Sequence, residues 1–304
     1  MSTPRSKSVR TLVAGRELTL SNLDKVMYPG SGFTKGQLIE YYSLIAPVML
    51  PHLKDRPLTM KRYPDGVEGQ SFFEKHVPRH APDWLRHVSV PTSDSGTAVD
   101  YTVICDLPDL VWAANLATIE FHVPLWRIGR RRKLPAPPDQ MVFDLDPGEG
   151  ATIVECCQVA GAIADLLETR NLESHAKTSG SKGLQLYVPV GNRSTWERVR
   201  RDARQIATVL ERDRPDLVVS NMRKSLRGNK VLIDWSQNHP AKTTVAVYSL
   251  RARPDPTVST PVTWEEVGRC AAEADADLLR FTAADVLARV EELGDLFAPL
   301  GGET

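Results

Sequence analysis

Hydrophobic and polar positions change their period repeatedly between residues 140 and 250. Gln140-Met-Val-Phe-Asp144 is strand-like, and the stretch from Ala151 to Thr169 then sets Ile153, Cys157, Ala160, Ile163 and Leu167 at helical spacing. His175 to Ser179 and Leu184 to Val190 read as two strands around a glycine-containing turn. Ser194-x-x-Glu197 is a capping box that opens a helix through Leu210, and Val231 to Trp235 and Thr243 to Leu250 follow as strands. The order β-α-β-β-α-β, with one further strand, is the split βαβ arrangement of an α+β, RRM-like module. In it the first strand lies centrally, with the third on one side and the fourth on the other. That order makes Asp144 and Asp234 neighbours and puts the Ser179–Lys182 turn beside them.

Three parts are expected within one domain spanning 1–304: an N-terminal α/β module over 12–134, the RRM-like module over 135–262, and an acidic helical C-terminal tail over 263–304. The first boundary is the basic, proline-rich connection from Arg130 to Pro138. Near the N-terminus two short helices are expected close to Asn22, Lys25 and Lys35, the second opened by the capping box Thr34-Lys-Gly-Gln37.

Composition narrows the class. A chain of 304 residues, 41% hydrophobic, can bury one large core or two coupled ones. No apolar run reaches membrane-spanning length and the start lacks the apolar centre of a signal peptide, so a cytoplasmic protein is expected. Cys105, Cys156, Cys157 and Cys270 show no Cys-x-x-Cys spacing and are read as reduced core residues. Net charge is zero, but ten acidic residues against three arginines leave the chain from Thr263 onward at −7 and residues 1–262 at +7. Basic clusters at Arg127–Lys133, Arg223–Lys230 and Arg251/Arg253 suit a surface that tracks phosphates, or solvated loops.

The chemistry concentrates in Met141-Val-Phe-Asp144-Leu-Asp146-Pro-Gly-Glu149. Two aspartates spaced by two on a strand share a face and repel unless a cation sits between them; with Asp234 they form a hard oxygen set suited to magnesium or manganese. Taken alone, the same pattern also fits a strand end capping the next helix. Thr178-Ser179-Gly180-Ser181-Lys182-Gly183 offers backbone N–H groups, a hydroxyl and a lysine to a triphosphate, without the spacing of a Walker A loop, though a polar hairpin reads the same way. His122 is a further candidate donor, or a satisfied core histidine. Lys224, Arg227, Arg251 and Arg253 bracket the acidic strands, the last two at strand spacing as a fork for phosphate oxygens. Lysine in the first turn of a helix opposes the dipole unless an anion arrives, so Asn22, Lys25 and Lys35 are read as a terminal 5′-phosphate site. Phe72 and Phe73 present rings to an unpaired base, or pack in the core.

In series these segments closely resemble the polymerase domain of bacterial ligase D, the end-joining branch of the archaeo-eukaryotic primase superfamily. The landmarks are Asn22-Leu-Asp-Lys25, Met60-Lys61-Arg62-Tyr, Phe72-Phe-Glu-Lys75, Glu120-Phe-His122, Phe143-Asp144-Leu-Asp146, Thr178-Ser-Gly-Ser-Lys-Gly, Lys224-Ser-Leu-Arg227, Asp234-Trp-Ser-Gln237 and Arg251-Ala-Arg253. The resemblance implies a primase-polymerase fold and a template-directed nucleotidyltransferase that prefers ribonucleotides. Asp144, Asp146 and Asp234 would be both catalytic and metal-binding, holding two Mn2+ or Mg2+ ions. His122, Ser179, Lys182, Lys224, Arg227, Gln237, Arg251 and Arg253 would surround an incoming NTP or dNTP. Asn22, Lys25, Lys35, Lys61, Phe72 and Phe73 would bind DNA bearing a 5′-phosphorylated gap or end. Ku and a DNA ligase are the implied partners, a monomer the expected state and the nucleoid the expected place of action.

Two departures qualify the resemblance. Gln185 stands where this family commonly has histidine, and glutamine supplies no cationic donor to a triphosphate. No Lys-x-Asp-Gly ligase motif is present, which suggests a stand-alone or excised polymerase. Two rival readings are a haloacid-dehalogenase-like phosphatase or phosphotransferase, which needs alternating parallel βα units, and a DNA-end-binding paralogue without catalysis.

Overall fold

Met141, Phe143 and Leu145 alternate with Val142, Asp144 and Asp146, and a pleated strand sends the two sets to opposite faces. In the computed structural model, which describes residues 8–91, 97–129, 134–191 and 193–301, that strand is an inner strand of the largest sheet. In chain order the elements are β1 (Ser8–Val13), β2 (Arg16–Ser21), β3 (Val26–Tyr28), β4 (Phe33–Thr34), α1 (Lys35–Leu53), β5 (Thr59–Arg62), β6 (Phe72–Glu74), β7 (His87–Pro91), β8 (Ala98–Thr102), α2 (Leu107–Asn115) and β9 (Thr118–Val123). There follow β10 (Gln140–Pro147), α3 (Ile153–Glu168), β11 (His175–Thr178), β12 (Leu184–Pro189), α4 (Trp196–Asp213), β13 (Val218–Val219), β14 (Val231–Asp234), β15 (Thr244–Val245), β16 (Pro261–Val262), α5 (Trp264–Glu273) and α6 (Ala283–Leu293).

The six-stranded sheet runs β13-β14-β10-β12-β11-β16. The first strand of the split βαβ unit is therefore central between its third and fourth, as the pattern predicts. Every neighbouring pair except β13–β14 is antiparallel, which excludes the alternating parallel units of the phosphatase reading. The back face buries Met141, Phe143, Leu145, Leu184, Leu186, Val188, Val231 and Ile233 against α3 and α4, where Val199, Ala203, Ile206 and Leu210 recur at helical spacing.

A second sheet, β15-β9-β5-β6, packs with α1 and α2 around the N-terminal core. Val142 and Tyr187 from the front of the large sheet belong to that core, so the two halves are coupled. The hydroxyl of Tyr41 donates to Tyr248 O at 2.8 Å and that of Tyr42 to Ile119 O at 2.6 Å, while Leu250 N donates back to Tyr42 Oη at 2.9 Å. These buried bonds pin the chain leading to Arg251.

Several expectations need correction. No helix opens at Asn22: this residue takes a left-handed conformation, φ 55°, and the chain enters β3, whose Met27 and Tyr28 are buried. Only the second expected helix exists, with the Thr34–Gln37 capping box intact. The cap of α4 is Thr195, accepting from Arg198 N, one residue later than Ser194. The strand expected over 243–250 shrinks to Thr244–Val245 and pairs with β9 in the other sheet, because Tyr248 at φ 66° turns the backbone out of extension. Arg251 and Arg253 consequently lie outside any strand.

The acidic C-terminal part is helical but is no tail, since Val267, Cys270 and Leu279 join one core and Val286, Phe297 and Leu300 the other. Cys156, Cys157 and Cys270 are buried, whereas Cys105 is exposed; all four are free thiols. Arg130–Lys133, part of a basic cluster and of the connection, lies outside the described residues. Among the described residues no helix is long and apolar enough to cross a membrane.

Candidate active site

One cross-strand row organises the front of the large sheet. Asp234 is the Cα partner of Asp144, Asp144 of Gln185, and Gln185 of Lys177, so four polar side chains from β14, β10, β12 and β11 line up on one face. Asp146 joins that face two residues along β10. Burial, Asp146 and Asp234 push the Asp144 carboxyl up to about 7 against the hydrogen bond from Gln185. Burial and Asp234 also raise Asp146, while the charges of Arg227 and Arg251 oppose the rise. Asp234 accepts from Ser236 N at 2.9 Å and from Gln237 Nε2 at 3.1 Å. Ser236 Oγ bonds the same carboxylate at 2.5 Å and accepts from Lys242 Nζ at 2.6 Å.

Among the described residues no group of three or more His, Cys, Asp or Glu side chains stands gathered for an ion. The donor chemistry nevertheless fits a hard divalent cation: on a face shared by three short carboxylates, burial and the neighbouring charges hold the protons of Asp144 and Asp146 on, and a cation relieves that cost.

Asp144 and Asp146, but not Asp234, border a cavity of ≈320 Å³ that His122, Ser179, Lys182, Gln185, Arg251 and Arg253 also line. The cationic side is anchored by Glu120, almost wholly buried on β9. Glu120 accepts from His122 Nε2 at 2.9 Å and from Ala252 N at 3.1 Å, with Arg251 Nε at 3.4 Å and Lys61 Nζ at 3.9 Å. Burial alone would raise its pKa, but the His122 bond and the charges of Arg251, His122 and Lys61 hold it down at about 2. Burial pulls His122 below the usual histidine range despite Glu120. Arg251 Nη1 donates to Ser179 O, tying the phosphate-type loop to the same anchor.

Ser179 Oγ accepts from Ser181 N at 3.2 Å and from Gly183 N at 3.1 Å, closing the turn around the exposed Lys182. Gly180 sits at φ 65°, and a Cβ there would come within 2.6 Å of the Val258 carbonyl carbon, so only glycine fits. Gly148 is equally constrained: its Cβ would lie 1.8 Å from Arg227 O, where the loop after Asp146 closes on the loop before β14. Lys224 is exposed, and neither it, Arg227 nor Gln237 lines the cavity. Arg227 acts on Asp146 through its charge, and Gln237 supports Asp234.

A separate basic locus lies at the start of α1. Lys35 is almost fully buried, with Nζ donating to Ser21 O at 2.7 Å. Burial and the charges of Lys25 and Arg62 lower it to about 8. Lys25 pairs with Asp65 at 2.7 Å, and Asn22 is exposed, its carbonyl accepting from Lys25 N at 3.0 Å. Phe72 and Phe73 are 43% and 59% exposed, which removes the core-packing reading. The ammonium of Lys61 lies 5.4 Å over the Phe73 ring, and Phe73 meets His122 edge-on at 5.8 Å. Phe73, Lys61 and Glu120 are register partners across β6, β5 and β9, so the aromatic surface is continuous with the cationic wall.

Glu120, Lys177, Gln185 and Ser236 are therefore structural members of the site that motif reading did not assign. Period-two alternation with His122 was the available signal for Glu120; nothing local distinguishes Lys177.

Residues 34–297 match the family described as LigD, primase-polymerase domain. The chain is 45% identical to the multifunctional non-homologous end joining protein LigD of Mycolicibacterium smegmatis over 93% of its length, and 32% identical to the bifunctional LigD of Bacillus subtilis over 91%. It spans 36% and 43% of those longer proteins. Its structure superposes on the polymerase domain of Mycobacterium tuberculosis ligase D in complex with DNA with a TM-score of 0.87 at 42% identity, covering 93% of this chain and 97% of that one. With the acidic row and its cationic wall in place, these likenesses show that the chain belongs to the LigD primase-polymerase domain family.

Proposed function

We propose that this chain is a template-directed nucleotidyltransferase that fills gaps and extends 3′ ends on 5′-phosphorylated DNA during the joining of broken ends, with a preference for ribonucleotides. The observation that carries the reading is the cavity itself, with Asp144 and Asp146 on one side, Asp234 paired behind Asp144, and His122, Lys182, Arg251 and Arg253 on the other. That is the polarity needed to hold a triphosphate beside a cation.

Asp144 and Asp146, with Asp234, would hold Mn2+ or Mg2+, which when bound supplies charge neutralisation and activation of the attacking oxygen. The chain's own groups bind and orient. Arg251 is fixed by Glu120 and by Ser179 O, so its remaining donors point a preorganised charge into the cavity. Lys182 rides on the turn closed by Ser179 and adds a mobile charge. His122, held by Glu120 and depressed by burial, offers a ring edge beside Phe73 rather than a free cation. Lys25 and Lys35 would receive the 5′-phosphate, and the exposed rings of Phe72 and Phe73 would stack on the template. Ku and a separate or attached ligase would be its partners and the nucleoid its place of action; a relative that carries non-homologous end joining in its name supports a role at broken ends.

The test is extension of a primer on a gapped duplex bearing a 5′-phosphate, with Mn2+ and either ribo- or deoxyribonucleotides. Incorporation directed by the template, faster with ribonucleotides, is expected. DNA binding without any extension, over several metals and end structures, would instead make the chain an end-binding paralogue.

A further inference from the structure

Lys177 is buried to 1% exposure at the far end of the polar row and, among the described residues, pairs with no carboxylate within ion-pair distance. Burial, with the charge of Arg251, holds this amine well below the ordinary lysine range, and what orients its neighbours is the N–H groups that it donates to them. Nζ lies 2.6 Å from Gln185 Oε1 and 2.6 Å from Ser259 Oγ, and Ser259 passes its own proton to Thr178 O at 2.9 Å. The Tyr187 ring lies beneath Nζ at 5.5 Å, its hydroxyl bonded to Thr244 Oγ1 at 2.9 Å and 3.3 Å from the same Gln185 Oε1. With its oxygen committed to Lys177, the Gln185 carboxamide must turn its NH2 the other way. It does so, and Nε2 donates to Asp144 Oδ1 at 2.9 Å.

We propose that Lys177 and Gln185 are positioning residues for Asp144. The lysine locks the amide in one of its two orientations, and the amide fixes one carboxylate oxygen while leaving the other to the cavity. Gln185 lines the cavity, but both ends of its amide are engaged, the oxygen by Lys177 and the NH2 by Asp144. The inference rests on the reading above that Asp144 holds a divalent cation. Outer groups that orient a metal-binding side chain typically change affinity by about 10- to 100-fold.

The test titrates Mn2+ into the full chain without nucleotide and counts the free ion by electron paramagnetic resonance. Gln185→Met keeps the side-chain length and removes the amide; Lys177→Met removes the N–H donor that holds the amide oxygen. Each is expected to weaken Mn2+ by about 10- to 100-fold. Because the two act in series, the double variant should bind within about twofold of Gln185→Met alone. In extension assays the half-saturating Mn2+ should rise while the nucleotide KM at saturating Mn2+ holds. If Lys177→Met does not fold, Gln185→Asn takes its place: it keeps the amide but is one methylene too short for both partners, and should show the same loss. Wild-type Mn2+ affinity in Gln185→Met, or multiplying losses in the double variant, overturns the assignment while sparing the metal reading. A wild-type chain that binds no Mn2+ overturns both.

Discussion

Asp144 and Asp234 stand 90 positions apart in the chain and directly opposite each other across β10 and β14. Replacing either by alanine removes a carboxylate from the proposed cation set. Primer extension is expected to fall by about 10³-fold or more, the equivalent of several kcal/mol of lost charge stabilisation. Binding to a 5′-phosphorylated gap, measured by fluorescence anisotropy, should persist. Extension at wild-type rates in Asp144→Ala would remove the acidic row from the mechanism.

The elevated Asp144 carboxyl makes the cation-free protein pH-sensitive. A carboxyl whose folded value is raised favours folding while it holds its proton. Stability should therefore decline as pH rises from the unfolded value near 4 towards about 7, where the folded group ionises. Mn2+ should bind more tightly, and raise Tm more, at pH 8 than at pH 6, because the proton no longer competes. Thermal scans with and without Mn2+ across this range check the sign.

Lys35 is lowered to about 8, so its charge disappears as pH rises through that value, while a terminal phosphate stays doubly charged. Preference for 5′-phosphorylated over 5′-hydroxyl DNA should shrink between pH 7 and pH 9. Lys35→Ala should cost about 10- to 100-fold in affinity for the phosphorylated end, as expected for a lost charge-assisted bond of ~1.5–3 kcal/mol. Equal affinity for both ends in the wild type would remove the phosphate from this locus.

Glu120 carries much of the cationic wall while touching the cavity only through others. Its replacement by alanine leaves His122, Arg251 and Lys61 without their buried anion and should destabilise the fold by about 3–5 kcal/mol, read by urea unfolding. The nucleotide KM should rise in parallel, since Arg251 loses its brace.

Phe72 and Phe73 give the opposite pattern. Both rings are largely exposed, so truncation to alanine should shift stability by no more than about 0.5 kcal/mol while weakening binding of a single-stranded template by about 1–3 kcal/mol per ring. A large loss of Tm with unchanged template binding would reassign them to structure.

The period of two along β10, the glycine-containing turn between β11 and β12 and the crossovers through α3 and α4 were enough to order the four central strands and to bring Asp144 beside Asp234. These are local signals: pleating decides which side chains share a face, and the split βαβ connection decides which strands are neighbours. The helix cap at Thr34 was legible for the same reason. Burial is different, because it depends on which surfaces meet. Only the packing of the second sheet against the first made Glu120 the hub of the cationic wall and turned the chain at Tyr248 so that Arg251 reaches Ser179, and only the end of β2 against the start of α1 drew Lys35 below the surface. Lys177 shows the limit most clearly. In the sequence it is one more lysine before a turn; in the fold it is a buried amine whose partners were set by strand β12 and by the segment at Ser259, elements that no local spacing connects.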